Sequence, residues 1–516
     1  MFVCTTYLFI YLLKFSCRKW NKGLNNEVIN NDPLLYKCEF KTPNICHIDI
    51  ISSFMDYSKV RKVDCFKNNP NSDEVKNIWR NSYNRYGTND TLYDFQSLIY
   101  PETNNNNFTF SKYDSFYSFY KSITKNMIFT NDSEKLKEIN PEVMLLKNKE
   151  NFEIKINLKF NKELSENRIQ IITEDNFPNN NILFLYIDML SRPHFFRKMN
   201  YLTQFLSKFN SNKNSSYEVF QFMKYQSFPN DYSNSGIQTI FYETTKKIRY
   251  EENKNFHLLT LLKNKGYITA QSANFCFKEF LLNQQNYNFF KDTNIEEYDY
   301  ENIAMFCDPI FLNEMKTPSI KKCLYGKNSF EYVLEYGYQF WTKYTNNKKF
   351  LRLGFFEGKE KTGEVIKYLD YYLYQFFENL YQNNYLNNTI VFLVSGQGNS
   401  FNDLFNHIFY INYDFYLEKY LGTFFILLDK EGLNLKESDL INIRSNQQNM
   451  VTAYDIRETL KNIAENKIYN NTKEKNEDNL NNNNLGESLF KFINSLKRNC
   501  KMYSNINDVV CRCHDF

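Results

Sequence analysis

Four positions decide what chemistry this sequence can do: Asp188, Ser235, Gly396 and Gln397. Asp188 closes "NILFLYIDML", a continuous apolar run of the kind that builds a strand buried on both faces and presents its last residue to a site. Ser235 lies in "YSNSGIQ", just ahead of a segment that reads as a helix. A hydroxyl at a helix start suits a nucleophile facing phosphate or sulfate, because the helix end favours anions and a nearby metal would lower the hydroxyl pKa. A serine there is more simply a cap that bonds a backbone N–H. Gly396 and Gln397 follow "NNTIVFLVSGQG", where β-branched and aromatic residues stop at a small-residue turn. Ligands of α/β sheets gather at such carboxyl edges. An acid and a histidine would make this turn a metal site, and the chain has a glycine and an amide instead.

The flanking patterns supply the elements that must position these residues. "FHLLTLLKNKGYITAQSANF" reads as a helix, a cap at Gly266 and a strand. "GEVIKYLDYYLYQFFENLYQNNYL" has apolar residues at helical spacing from Val365 to Leu386 and feeds the strand "TIVFLVSGQG". "GTFFILL", Gly422 to Leu428, is a further strand, and "TAYDIRETLKNIAEN" a further amphipathic helix. Strands alternating with helices predict an α/β fold with a mostly parallel central sheet, covered by helices on both faces, over residues 176–516. Residues 30–175 read as a β-rich segment, with alternation clearest in "FEIKINLKF". "NKIYNNTKEKNEDNLNNNNLGES" is a solvated low-complexity loop, and there is no internal repeat.

Composition narrows the function classes. The 516 residues include 49 Phe and 40 Tyr, enough aromatic bulk for a sizeable core. The polar excess is largely Asn and Lys, residues that fill solvated loops and turns. A formal net charge of +4 with no concentrated basic face argues against a nucleic-acid partner. Residues 1–22 hold an apolar run too short to span a bilayer, followed by Lys14, Arg18, Lys19 and Lys22, which fits a signal peptide or signal anchor. The alternative to a signal is a mispredicted start or a buried amino-terminal strand. The membrane enters only through this segment if it is uncleaved, and the protein is expected to be secreted, lumenal or anchored there.

Eleven cysteines support that compartment. Nine remain beyond the signal: Cys38, Cys46, Cys65, Cys276, Cys307, Cys323, Cys500, Cys511 and Cys513. They suit disulfides that pin loops, including a disulfide-bearing carboxyl-terminal tail. Cys276 or Cys307 can pair with Cys323, and Cys500 with Cys511 or Cys513, but spacing alone does not assign connectivity. Cys511-x-Cys513 has the wrong spacing for a zinc knuckle. Six glycosylation sequons, at Asn89, Asn107, Asn131, Asn214, Asn387 and Asn470, carry little weight in an Asn-rich chain.

The order "NILFLYIDMLSRPHFFRKM", "YSNSGIQ", "LNNTIVFLVSGQG", "VTAYDIRETLKNI" and "RNCKMYSNINDVVCRC" resembles the domain of unknown function 229 family, sulfatase-like relatives in the alkaline phosphatase superfamily. "CEFKTPNICHIDIISSFM" and "CLYGKNSFEYVLEYGYQFW" share its look, so the resemblance spans about residues 36 to 513. It implies one or two divalent ions beside a hydroxyl or modified nucleophile, polarising an ester. Carried over, Asp188 matches a metal-ligand aspartate and Ser235 the nucleophile, while the D-H-G turn is Gly396, Gln397 and Gly398. Glycine offers no ligand, and a glutamine amide is a far weaker donor to a transition metal than imidazole or carboxylate. None of His47, His194, His257, His407 and His514 matches a ligand position, and His194 is expected on a helix surface.

Two functions follow from the resemblance. One is a secreted or lumenal pseudoenzyme with a degenerate metal site, no expected cofactor, and a retained capacity to bind an anionic or glycan ligand. The other is a phosphoester or sulfoester hydrolase with an altered site around one divalent ion, using Asp188, Ser235 and Gln397 or Glu357; such a donor set favours Mg2+ or Ca2+ over Zn2+. An extracellular interaction module is the plainer third class, since aromatic residues also serve partner surfaces.

Overall fold

A computed structural model describes residues 142–148, 151–175, 180–212, 214–226, 240–241, 258–274, 298–307, 323–324, 327–359, 363, 365–398, 421–447, 449–466 and 486–494. The amino-terminal signal expectation, Ser235, and Cys38, Cys46, Cys65, Cys276, Cys500, Cys511 and Cys513 lie outside these residues.

Along the chain, strands β1 (Val143–Asn148) and β2 (Asn151–Ile156) precede helix α1 (Lys162–Asp175) and strand β3 (Asn181–Ile187). Helices α2 (Arg192–Lys198) and α3 (Asn200–Ser211) lead to strands β4 (Tyr217–Gln221) and β5 (Lys224–Gln226). Then come α4 (Leu258–Asn264), β6 (Ile268–Ala273), β7 (Tyr300–Asn302), β8 (Cys323–Leu324) and β9 (Lys327–Asn328). Helix α5 (Ser329–Lys343), β10 (Lys349–Phe355), a 3-10 turn Glu357–Lys359, α6 (Ile366–Gln382) and β11 (Thr389–Ser395) follow. The last elements are β12 (Phe424–Asp429), α7 (Glu437–Asn446), β13 (Met450–Thr452) and α8 (Ala453–Ala464).

Two compact units share the chain. The first is drawn from Phe177–Leu261 and Glu357–Phe516, the second from Arg61–Asn176 and Leu262–Phe356. In the first, β11 runs parallel to β3 and antiparallel to β12, and β12 is antiparallel to β4. In the second, β6 runs parallel to both β10 and β7. The mixed α/β fold with a mostly parallel sheet is therefore present. The "GTFFILL" strand, however, enters it antiparallel.

Both faces of the first unit's sheet are covered. Successive strand side chains point to opposite faces. Phe425 packs on Phe195 of α2 with ring centroids 4.9 Å apart, whereas its neighbour Phe424 stacks on Phe222 at 4.4 Å and reaches Tyr225 at 5.1 Å. This is why β3, β11 and β12 read as unbroken apolar runs. In the second unit, β2 begins an alternation of buried Ile154, Ile156 and Leu158 with exposed Lys155 and Asn157, and it pairs antiparallel with β1. Helix α1 then occupies residues of the segment read as β-rich. Its mostly exposed "KELSENRIQIITED" lacks a clear apolar stripe, so periodicity does not reveal it.

Helix α3 begins at Met199, which supplies no side-chain cap. Asp370, buried on α6, caps it from outside: its carboxylate accepts from the Tyr201 N–H at 2.8 Å and the Leu202 N–H at 2.9 Å. Two orphan donors of the first turn are thereby satisfied across the helix pair. Asp370→Ala is expected to lower stability by about 1–2 kcal/mol, read as a lower urea midpoint with an unchanged m-value.

Candidate functional site

The carboxyl edge of the first unit's sheet is built from the ends of β3 and β11. Their parallel register pairs Ile187 with Ser395, so Asp188 and Gly396 are the next residues out on adjacent strands. The structure thus brings together the aspartate and the substituted turn that the sequence separates. Gly396 is buried and Gln397 half-buried.

Asp188 is fully buried. Its Oδ1 accepts from the Tyr186 hydroxyl at 3.1 Å, and its Oδ2 has no hydrogen-bond partner among the described residues. Burial pushes its carboxyl up to about 6, against the opposing pull of the Lys359 charge, the Tyr186 hydroxyl and the Met189 backbone N–H. The next residue, Met189, holds φ at +52°, a left-handed conformation uncommon for a bulky side chain. Strained backbone of this kind concentrates at functional sites.

A second segment reaches this strand end. A Cβ added to Gly358 would lie 2.1 Å from the Asp188 carbonyl oxygen and 3.2 Å from the Met189 carbonyl carbon. Only glycine permits this approach, which seats the 3-10 turn Glu357–Lys359 directly on Asp188. Glu357 is buried there and Lys359 exposed. Sequence reading placed Glu357 among the alternative donors but had no signal for Gly358. The remaining edge is hydroxyl-rich. Ser395 Oγ accepts from the Thr423 N–H at 2.7 Å, and Thr423 Oγ1 donates to the Leu190 carbonyl at 3.0 Å.

His194 is not on a surface. It is buried in α2, with Nε2 2.7 Å from the Gly363 carbonyl and Nδ1 3.2 Å from an Arg197 guanidinium nitrogen. Burial, reinforced by Arg197, holds it well below the usual histidine range. A neutral ring that donates from Nε2 and accepts at Nδ1 has both nitrogens engaged. It is a structural pin for α2 rather than a ligand. The serine ahead of it, Ser191, caps α2 by accepting from the His194 N–H at 3.1 Å.

The described residues of this edge do not supply the charged donors of a two-ion centre, one of the two arrangements that the resemblance implies. Among the described residues no group of three or more His, Cys, Asp or Glu side chains is placed to hold a metal. Gly396 contributes no donor atom, and Gln397 brings at most a neutral amide.

Asp188→Asn tests the state of this carboxylate. A carboxyl raised from 3.8 to about 6 stabilises the fold most below pH 4, and that contribution is lost as pH rises through 6. The amide variant carries no charge to bury, so at pH 8 it is expected to be more stable than the parent by about 3 kcal/mol. The advantage should vanish below pH 4, and equal or lower stability at pH 8 would show that a counter-charge holds the carboxylate. Gly358→Ala is expected to destabilise by about 1–3 kcal/mol, measured as a fall in Tm.

Several solved structures are similar in part. The carboxyl-terminal periplasmic domain of EptC from Escherichia coli, in complex with Zn, aligns with a TM-score of 0.37 and 13% identity over 56% of this chain and 84% of its own. A protein in the alkaline phosphatase superfamily from Vibrio parahaemolyticus aligns with a TM-score of 0.37 and 13% identity over 59% and 76%. The PsFucS1 sulfatase from Pseudoalteromonas sp. aligns with a TM-score of 0.32 and 10% identity over 60% and 73%. No curated protein matches the chain. Among the described residues no helix is long and apolar enough to cross a membrane. The family model described as "Protein of unknown function (DUF229)" matches residues 306–516, a stretch that includes the Gly396–Gln397 turn and the helix that follows β13.

Proposed function

We propose that this chain is a sulfatase-like protein of the secretory pathway that acts by binding an anionic or glycan ligand at its sheet edge, without hydrolysing an ester. One observation carries the reading: the strand-end architecture is intact, with Asp188 buried beside the turn, while the turn's two ligand positions are Gly396 and Gln397. A phosphoryl or sulfuryl group in transfer needs concentrated positive charge. A glycine brings no side-chain donor and a glutamine only a neutral amide, so this turn lacks the charged ligands that hold such an ion firmly. Gln397, half-buried at the turn, carries an uncharged hydrogen-bonding amide, a chemistry that matches sugar hydroxyls.

The altered one-ion hydrolase is the second reading. It is favoured by the Asp188 oxygen that lacks a partner among the described residues and by Glu357 buried in the adjoining turn. A carboxylate oxygen so placed is the kind of group a hard cation satisfies.

Elemental mass spectrometry of the purified full chain, paired with turnover of an aryl phosphate and an aryl sulfate, separates the two. The binding protein is expected to be metal-free and inert, with Asp188→Ala changing neither result. About one divalent ion per chain, with metal and turnover both lost in Asp188→Ala, would overturn it.

A further inference from the structure

The segment Gly486 to Asn494 is held in an unusual way. It forms no helix or strand, and its one internal backbone bond closes a turn from the Lys491 N–H to the Ser488 carbonyl at 2.9 Å. Among the described residues, its main chain is bonded by side chains of α7, of α8 and of the residues between them. Asn446 Nδ2 donates to the carbonyls of Leu489 at 2.9 Å and Lys491 at 2.7 Å, and its Oδ1 accepts from the Ile493 N–H at 3.0 Å. One turn earlier, Asn442 donates to the Phe490 carbonyl at 2.9 Å; just beyond, Asn449 donates to the Ile493 carbonyl at 2.8 Å. From α8, Asp455 Oδ1 accepts from the Glu487 N–H at 2.8 Å and Thr459 Oγ1 from the Leu489 N–H at 2.9 Å.

Apolar anchors complete the pattern. Leu489, Phe490 and Ile493 are buried, whereas Lys491 and Phe492 face solvent. A Cβ on Gly486 would lie 2.4 Å from the Tyr454 carbonyl oxygen, so the groove admits only glycine at that end. Side chains that read main-chain atoms, with pockets for a few apolar residues, are how proteins bind short peptides.

We propose that the face of α7 and α8 is a peptide-binding groove, occupied in cis by Gly486 to Asn494, that accepts the same segment from a second copy of the chain. The segment is joined to α8 only through the low-complexity residues 467–485. Each copy carries both the groove and its complement, so exchange creates no new contact and loses none. That is the condition under which domain swapping produces dimers at low energetic cost.

The test uses the full chain with a protease site inserted within 467–485, cleaved under reducing conditions so that no disulfide retains the carboxyl-terminal piece. A fluorescent synthetic peptide of residues 486–494 should enter the cleaved protein and displace its own segment. A peptide with Gly486→Ala should bind at least about tenfold more weakly, and one with Phe492→Ala should bind unchanged. Asn446→Ala in the protein, which removes three hydrogen bonds, should weaken the peptide at least about tenfold. Two differently tagged uncleaved chains, mixed at high concentration, should co-purify, and an excess of the 486–494 peptide should separate them. A cleaved protein that never admits the peptide overturns the groove. Peptide entry without co-purification of intact chains overturns the exchange. The peptide variants leave the protein untouched, so they decide the matter even if Asn446→Ala does not fold.

Discussion

The parallel pairing of β3 with β11, in a register that lets both strands end together, is the constraint from which the rest of the first unit follows. It places Asp188 and Gly396 next to each other on one edge and buries the aspartate completely. A buried carboxylate is costly unless something compensates it. The surroundings offset only part of that cost: the Lys359 charge, the Tyr186 hydroxyl and the Met189 N–H favour the carboxylate, and burial still pushes the carboxyl up to about 6. The strand end that the family resemblance would make a metal site thus brings its aspartate beside the glycine–glutamine turn. That turn presents a glycine and a neutral amide.

Capping by remote side chains recurs throughout the unit. Asp370 of α6 closes the start of α3, and Asp455 serves both its own helix and the Glu487 N–H. His194 ties α2 to Gly363. In each case a polar group is buried because it satisfies backbone groups that would otherwise be orphaned. Asparagine has the same use on α7. The composition suggests a residue that fills loops, but Asn446 and Asn449 are buried and bond a strap distant in sequence.

Much of the fold was legible. The runs ending at Asp188 and at Gly396 announced central strands because both faces are covered, and the helix from Val365 onward announced itself by period. The antiparallel direction of β12 was not legible, since direction leaves no trace in an apolar run. Nor was the burial of His194: a seven-residue helix has too few positions to show which face is inside. Gly358 escaped notice because its role lies in a close approach to another segment, not in its own turn.

By itself the sequence determined which residues could act: an aspartate that closes one apolar run, a glycine–glutamine turn that closes another, a resemblance to a family pattern, and the strands that end at both positions. These are covalent facts, local in the chain. Only the tertiary structure decided which of them meet, that Asp188 is buried with one carboxylate oxygen lacking a partner among the described residues, that Gly358 seats a third segment on it, and that asparagines of α7 grip a distant strap. Burial and hydrogen-bond pairing depend on residues far apart in the chain, and no local pattern encodes them.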